Sequence, residues 1–258
     1  MFSTRSCCVV LLLSASLASG LLFPLSSYAK EFTPYGSTWT TDRELEFTYD
    51  CYSKSEQIVA LAFDLSTLPA NPVFDSTFLQ FFVFDPASSV GTVIIRFRAE
   101  INASPTPFGQ QLTNVSRRLT SNSYIDWTPN EWSSDSINAT GLNQLTPDLS
   151  PLLQELVTQP GWSSGSKRVV LIASRSPLQT TGANGTRVAF SGKDYPGTSP
   201  VLHLNVIGSG LCVCVCVSVS VCLCLCFCVC FHIVFSAVCF VECVWVERFR
   251  FLVVVFSF

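Results

Sequence analysis

The sequence predicts an all-β chain: an antiparallel, jelly-roll-like β-sandwich over about residues 40–207, with one short helix near 150–158. Three observations carry this. Short apolar runs, several of them alternating with period two, recur between loops rich in Gly, Pro, Ser and Asn. A single stretch has helical periodicity with start and stop residues. The body between the two nearly uncharged ends, residues 30–207, is long enough to bury a core of its own.

The elements follow in order. "LEFTY" (Leu45–Tyr49) alternates, and "QIVALAFDL" (Gln57–Leu65) is a stronger run ending at the loop "STLPANP". "STFLQFFVFDP" (Ser76–Pro86) is apolar on both faces, as expected of a central strand. "GTVIIRFRAEI" (Gly91–Ile101) puts Val93, Ile95, Phe97, Ala99 and Ile101 on one face and Ile94, Arg96, Arg98 and Glu100 on the other. "SYIDW" (Ser123–Trp127) is short; "KRVVLIAS" (Lys167–Ser174), "TRVAFSG" (Thr186–Gly192) and "SPVLHLNV" (Ser199–Val206) complete the strands. In "TPDLSPLLQELVTQPGW", Asp148 or Ser150 can cap and Pro151 suits the first helical turn. Leu152, Leu153, Leu156 and Val157 then form an apolar stripe, and Pro160-Gly161 ends it.

The ends differ from this body. Arg5, the apolar Val9–Leu13 and small residues continuing to Leu22 read as a secretory leader over residues 1–29, cut after Ala29 or, earlier, after Gly20. Its apolar stretch is short for a membrane span. Ten of the 13 cysteines lie from Cys212 to Cys243 and two more, Cys7 and Cys8, in the leader. Cys51 is then the body's one cysteine, a small apolar residue rather than half of a disulfide.

From Leu211 to Cys230 odd positions hold Leu, Val or Phe and even positions hold Cys or Ser. A thiolate metal tract would have to bury its sites among bulky apolar residues. A lone strand of this kind would aggregate. A membrane segment over 211–241 is uncharged and long enough, but strict parity serves no purpose on a helix of period 3.6. A GT dinucleotide repeat, however, reads as Val-Cys-Val-Cys in any forward frame. Residues 208–258 are therefore expected to be a translated repeat, with a membrane anchor as the second reading.

"IDWTPNEW", "GLNQLTPDLSPLLQELVTQPGWSSGSKRVVLIAS" and "GTRVAFSGKDYPGTSPVLHLNV" together resemble the C-terminal half of the DNRLRE-type, carbohydrate-binding-like extracellular β-sandwich modules, with looser similarity back to Gln57. The hexapeptide that names that family is absent. The resemblance implies a noncatalytic module appended to secreted proteins and a polysaccharide ligand.

Residues 30–207 hold 12 basic and 16 acidic side chains, a net of −4, with no basic run, so no nucleic-acid partner is expected. The body's one histidine, His203, alternates with Leu202 and Leu204 and reads as a strand-face residue. No nucleophile motif, phosphate loop or multi-His/Cys metal set stands out, so no catalytic residue, metal or cofactor is expected. Sugars pack on exposed aromatic rings, and acidic sugars need a cation alongside. Trp127, Trp132 and Trp162 are expected to pack in the core. Tyr35, Trp39, Tyr49, Tyr52 and Tyr195 are expected at the surface. The ligand candidates are Arg96 and Arg98 on one strand face, preferred for an acidic chain, and Tyr35 and Trp39 in the N-terminal loops. Asn114, Asn138 and Asn184 head glycosylation sequons; Asn102 heads a fourth, followed by Pro105.

The expected function is a secreted module binding an extracellular polysaccharide or other glycan. The alternatives are a structural matrix or wall domain without ligand, and the accessory domain of a truncated secreted enzyme. A membrane contact is expected only through the 211–241 segment.

Overall fold

The computed structural model describes residues 8–9, 18–33, 35–50, 52–180 and 184–207, and the strand segments 211–219, 223–231, 243–246 and 249–253. The chain divides into two compact units, Gly20–Val206 and a second made of Met1–Ser19 with Ile207–Phe258. Cys51 lies outside the described residues.

The larger unit is all-β and antiparallel with one α-helix, as the alternation predicts. Strands β2 (Ala18–Pro24), β3 (Ser27–Thr33) and β4 (Ser37–Trp39) come first. They are followed by β5 (Glu44–Asp50), β6 (Ser55–Asp64), β7 (Val73–Gln80), β8 (Ile95–Ala99) and β9 (Ile125–Trp127). Helix α1 (Ser150–Val157) precedes β10 (Arg168–Arg175), β11 (Arg187–Phe190) and β12 (Val201–Ile207). One sheet runs β11-β5-β6-β10-β8-β9, with β3 also on β6 and β4 on β3; the second runs β2-β12-β7. Both sheets give side chains to one core, among them Leu61, Phe63, Phe97 and Leu171 from the first and Phe23, Leu79, Leu202 and Leu204 from the second.

Residues 20–24 and 27–29, within the expected leader, are strand in this unit. β3 pairs with β6 from Ser27↔Ala62 to Thr33↔Glu56, and Phe23, Tyr28 and Ala29 are buried. An apolar run before a cleavage signal and an apolar core strand look alike in sequence.

β5 turns a corner. Its residues 44–47 pair with β11 and its residues 48–50 with β6. Thr48, at the changeover, has φ of 76°, costly for a β-branched residue. Its hydroxyl donates to the Gly185 carbonyl at 2.8 Å, which helps hold the bend. β7 has buried Thr77 and Leu79 on one face and half-buried Phe78 on the other. It lies at the end of its sheet, not in the middle, yet its outer edge is covered. The backbones of Thr77 and Leu149 and of Leu79 and Thr146 are linked, with help from the Asp148 and Thr146 side chains. Helix α1 buries Leu152, Leu153 and Leu156. Asp148, expected as a cap, accepts from the Ser150 N–H at 2.9 Å, although the residue preceding the first turn is Leu149.

In the second unit, β1 (Cys8–Val9) runs parallel to β14 (Leu223–Phe231), which pairs antiparallel with β13 (Leu211–Val219). β16 (Phe249–Val253) joins β13 and β15 (Cys243–Val246) to β16. The two-residue alternation places Cys opposite Cys, as in Cys212↔Cys230 and Cys214↔Cys228. Among the described residues no helix is long and apolar enough to cross a membrane.

Candidate functional site

Most of the outer face of the larger sheet is occupied. Ala29, Ala60, Ala62, Val170 and Ile172 form a small apolar patch, and loop 102–121 closes over it with Val115 and Phe108. The loop is fastened by Glu31, whose Oε2 accepts the Val115 and Ser116 N–H groups at 2.7 and 2.9 Å. Arg118 adds a 2.7 Å ion pair to Glu100.

The expected strand-face site lies beside this loop. Arg96 and Arg98 do share a face, but Arg96 is already engaged. Its guanidinium grips Asp126 and lies 3.7 Å from the centre of the Tyr124 ring. Arg98 sits 5.7 Å from the same ring. Glu100, placed by the alternation on the same face as Arg98, pairs with Arg118.

The three tryptophans of the C-terminal motifs are core residues, as expected: Trp127, Trp132 and Trp162 are 5%, 0% and 1% exposed. Trp127 stacks on Phe81 at 5.8 Å, and Trp132 donates its ring N–H to Asn143 O at 3.1 Å. Tyr35, Trp39, Tyr52 and Tyr195 are exposed; Tyr49 is half-buried. His203 is half-buried on β12, and burial pushes its pKa down.

An open cleft of about 430 Å³ lies at the end of the sheet where β3, β5 and β10 finish and β6 begins. Tyr35 and Tyr49 supply rings, Lys54 and Arg175 supply cations, and Glu56 and Asn184 are among its other polar lining residues. The turn into β6 is built by Asp50, whose Oδ1 takes the Tyr52 N–H at 2.7 Å. Burial raises the Asp50 carboxyl's pKa, but hydrogen bonds from Ser53 and the backbone outweigh it and leave the net shift downward. Lys54 sits in the left-handed region at φ 53° and its side chain is exposed. Arg175 is paired with Glu56 and donates to Thr180 O at 3.0 Å. The hairpin carrying Tyr35 turns on Gly36, at φ 68°, where a Cβ would come 2.8 Å from Thr113 Cγ2. Trp39 stands on the same hairpin with its ring edge-on to Phe32, outside the cleft lining. Of the ligand candidates named by sequence, Tyr35 alone lines the cleft.

Asn184 and Asn138 are exposed; Asn114 is half-buried and its Oδ1 accepts from Arg118 at 3.2 Å.

A second polar cluster is buried. Lys30, 1% exposed, contacts Asp42 Oδ2 at 2.6 Å and Glu46 Oε2 at 2.7 Å. Gln57 Nε2 donates to the same Glu46 oxygen at 2.9 Å. Burial, then the neighbouring Glu46 charge, pushes Glu44 up to about 7. Asp42, Glu44 and Glu46 bring carboxylate oxygens within 4.8 Å of one another, a possible cation group among the described residues. The Lys30 ammonium already supplies a positive charge to two of the three.

A polar hub was not singled out from sequence. Arg187, 1% exposed, donates to the carbonyls of Asn130, Val90, Gly91, Thr186 and Pro129. Burial lowers its pKa to about 10. It ties loops 89–91 and 129–130 to β11; its signal in the sequence was the Arg of "TRVAF".

Compared with known proteins, the chain matches no family model and no curated protein.

Proposed function

We propose that the chain is a secreted, noncatalytic glycan-binding module whose ligand site is the cleft framed by Tyr35, Tyr49, Lys54 and Arg175. The observation that carries this reading is the pairing of two aromatic rings with two cations in an open space of about 430 Å³. A sugar offers C–H faces to tyrosine rings and hydroxyls to polar rims. Glu56 offsets one of the two cations, which leaves a single net positive charge and favours an acidic sugar such as a uronate. The resemblance of residues 57–206 to carbohydrate-binding-like modules points the same way. The Arg96 face is the weaker candidate, because Asp126 and Tyr124 already hold Arg96.

A glycan array carrying neutral and uronate polysaccharides tests it. Binding to a uronate chain, lost at least tenfold in Tyr35→Ala and in Lys54→Ala and kept in Arg98→Ala, is the expected result. Dependence on Lys54 should fade at high salt, since the side chain is exposed. Binding lost in Arg98→Ala but kept in Tyr35→Ala would return the site to the strand face. A folded protein that binds no glycan overturns the reading and favours a structural domain.

A further inference from the structure

We propose that Lys30 and Asp42 are joined by an intramolecular amide bond, formed by the folded protein with Glu46 as its proton-transfer group. The placement of three atoms suggests it. Lys30 Nζ is 2.6 Å from Asp42 Oδ2 and 2.7 Å from Glu46 Oε2, so one amine touches both a carboxyl to attack and a base to take its proton. The Lys30 side chain is 1% exposed and that of Glu46 8%, while that of Asp42 is 25% exposed, which leaves a route for water to depart.

The surroundings assign the roles. Burial raises the Glu46 pKa, which suits it to take a proton, and the Gln57 Nε2 donor at 2.9 Å holds its Oε2 in place beside the Lys30 nitrogen. The Arg43 backbone N–H donates to Asp42 Oδ1 at 2.8 Å and is placed to stabilise charge that develops on that oxygen. Lys30 lies on β3 and Asp42 just before β5, so the bond would close the β3–β4 hairpin into a ring and staple it to the next strand.

The step balances without any other reactant. One ammonium proton passes to Asp42, giving a neutral amine and a neutral acid. The nitrogen lone pair attacks Asp42 Cγ and forms the C–N bond, with negative charge on Oδ1. Glu46 takes a second proton from the nitrogen and returns it to the Oδ2 hydroxyl. The Cγ–Oδ2 bond then breaks and one water leaves. The third proton stays on the amide nitrogen, and Glu46 is a carboxylate again. Burial favours the neutral amine, but the neighbouring Glu46 and Asp42 carboxylates outweigh it and leave the Lys30 pKa raised. The ammonium therefore gives up its proton only within its 2.6 Å contact with Asp42, and that contact in the fold replaces a bimolecular encounter. The amide also removes two charges from a buried site, where ions are costly.

The experiment is tryptic peptide mapping of the denatured full chain. Unlinked protein releases residues 31–43, "EFTPYGSTWTTDR", at full mass. The expected product instead keeps Lys30 uncut in a peptide ending at Arg43 and one water lighter, with fragmentation placing the link between Lys30 and Asp42. Lys30→Arg and Glu46→Gln should both restore the free, full-mass peptide. Wild-type protein with a native strand signal and a free, full-mass 31–43 peptide overturns the proposal. A water loss that persists in Lys30→Arg also overturns it, since that would be a ring formed by Asp42 with its own backbone. A link mapped to Glu46 overturns the assignment of roles.

Discussion

Arg96 and Asp126 are direct partners across β8 and β9 and meet at two points, Nε to Oδ1 at 2.8 Å and Nη2 to Oδ2 at 2.7 Å. The side chains are 11% and 19% exposed. This geometry turns an apparently free surface cation into part of the sheet. Arg96→Ala is expected to destabilise the unit by about 1–2 kcal/mol, more than an exposed pair contributes. It should leave glycan affinity unchanged. Urea denaturation and a binding titration on the same sample check both halves; lost binding with unchanged stability would refute the structural role. The Arg96 hydrogen bond holds the Asp126 carboxyl below its ordinary value of 3.8. A lowered folded pKa gives stability that is full above the unfolded value and is lost as pH falls through the folded one. Asp126→Asn should therefore be less stable at pH 7, with a smaller acid loss below about pH 4.

Glu44 behaves in the opposite sense. Its carboxyl is raised from 4.5 to about 7 by burial and by Glu46. Between those values the folded state binds the proton more tightly than the unfolded state, so this group's contribution to stability falls as pH rises. Glu44→Gln mimics the protonated form. The variant should match wild type near pH 4 and melt higher at pH 8. Melting curves across that range decide it; a variant that melts lower at pH 8 would show that the charge is needed.

How far the sequence could be read depended on whether the information was local. The alternation of Gly91–Ile101 placed Ile95, Phe97 and Ala99 inward and Arg96 and Arg98 outward, and the structure keeps that division. Period-two patterning reports which side faces the core, but not what lies across the strand, so Asp126 and Tyr124 beside Arg96 were invisible. The corner in β5 left no trace either, because Thr48 adopts φ of 76° where a glycine would have signalled a bend. The cleft gathers residues near 33–35, 49–56, 175 and 184, which only the sheet brings together. Tyr35 was legible as an exposed ring without a core role; Lys54 and Arg175 offered nothing to distinguish them from other surface cations. Arg187 was hidden for another reason. Its hydrogen-bond partners are backbone carbonyls, which every sequence contains.

The strands before Ala29 bear on where the leader expected from the sequence would be cut. Cleavage after Ala29 would remove β2 and three of the seven paired residues of β3, with Phe23 and Tyr28 from the core. Losing two buried aromatic side chains costs about 3–5 kcal/mol each in comparable cores. That approaches the whole stability of a domain of this size. Cleavage after Gly20 removes only the first three residues of β2 and keeps Phe23, Tyr28 and all of β3. N-terminal sequencing of secreted protein is expected to begin at Leu21. A start at Lys30, with the protein still cooperatively folded, would show that β2 and the first residues of β3 are dispensable.

The sequon at Asn184 sets two expectations against each other. Asn184 is exposed and also lines the cleft with Tyr35, Tyr49 and Lys54. Thr186, the sequon's third residue, is 1% exposed and donates to Phe47 O at 3.0 Å, so it is fixed in the fold. A glycan added to Asn184 would occupy the space that the ligand needs. Protein from a glycosylating host should therefore bind a uronate polysaccharide at least tenfold more weakly than the same chain made without glycans. Asn184→Gln should restore binding in that host, whereas Asn138→Gln, on a separate exposed loop, should not. Mass spectrometry must first find the glycan on Asn184 in the weak-binding sample. Equal binding by the occupied and Asn184→Gln proteins would mean that the ligand sits elsewhere, and the cleft would lose its claim.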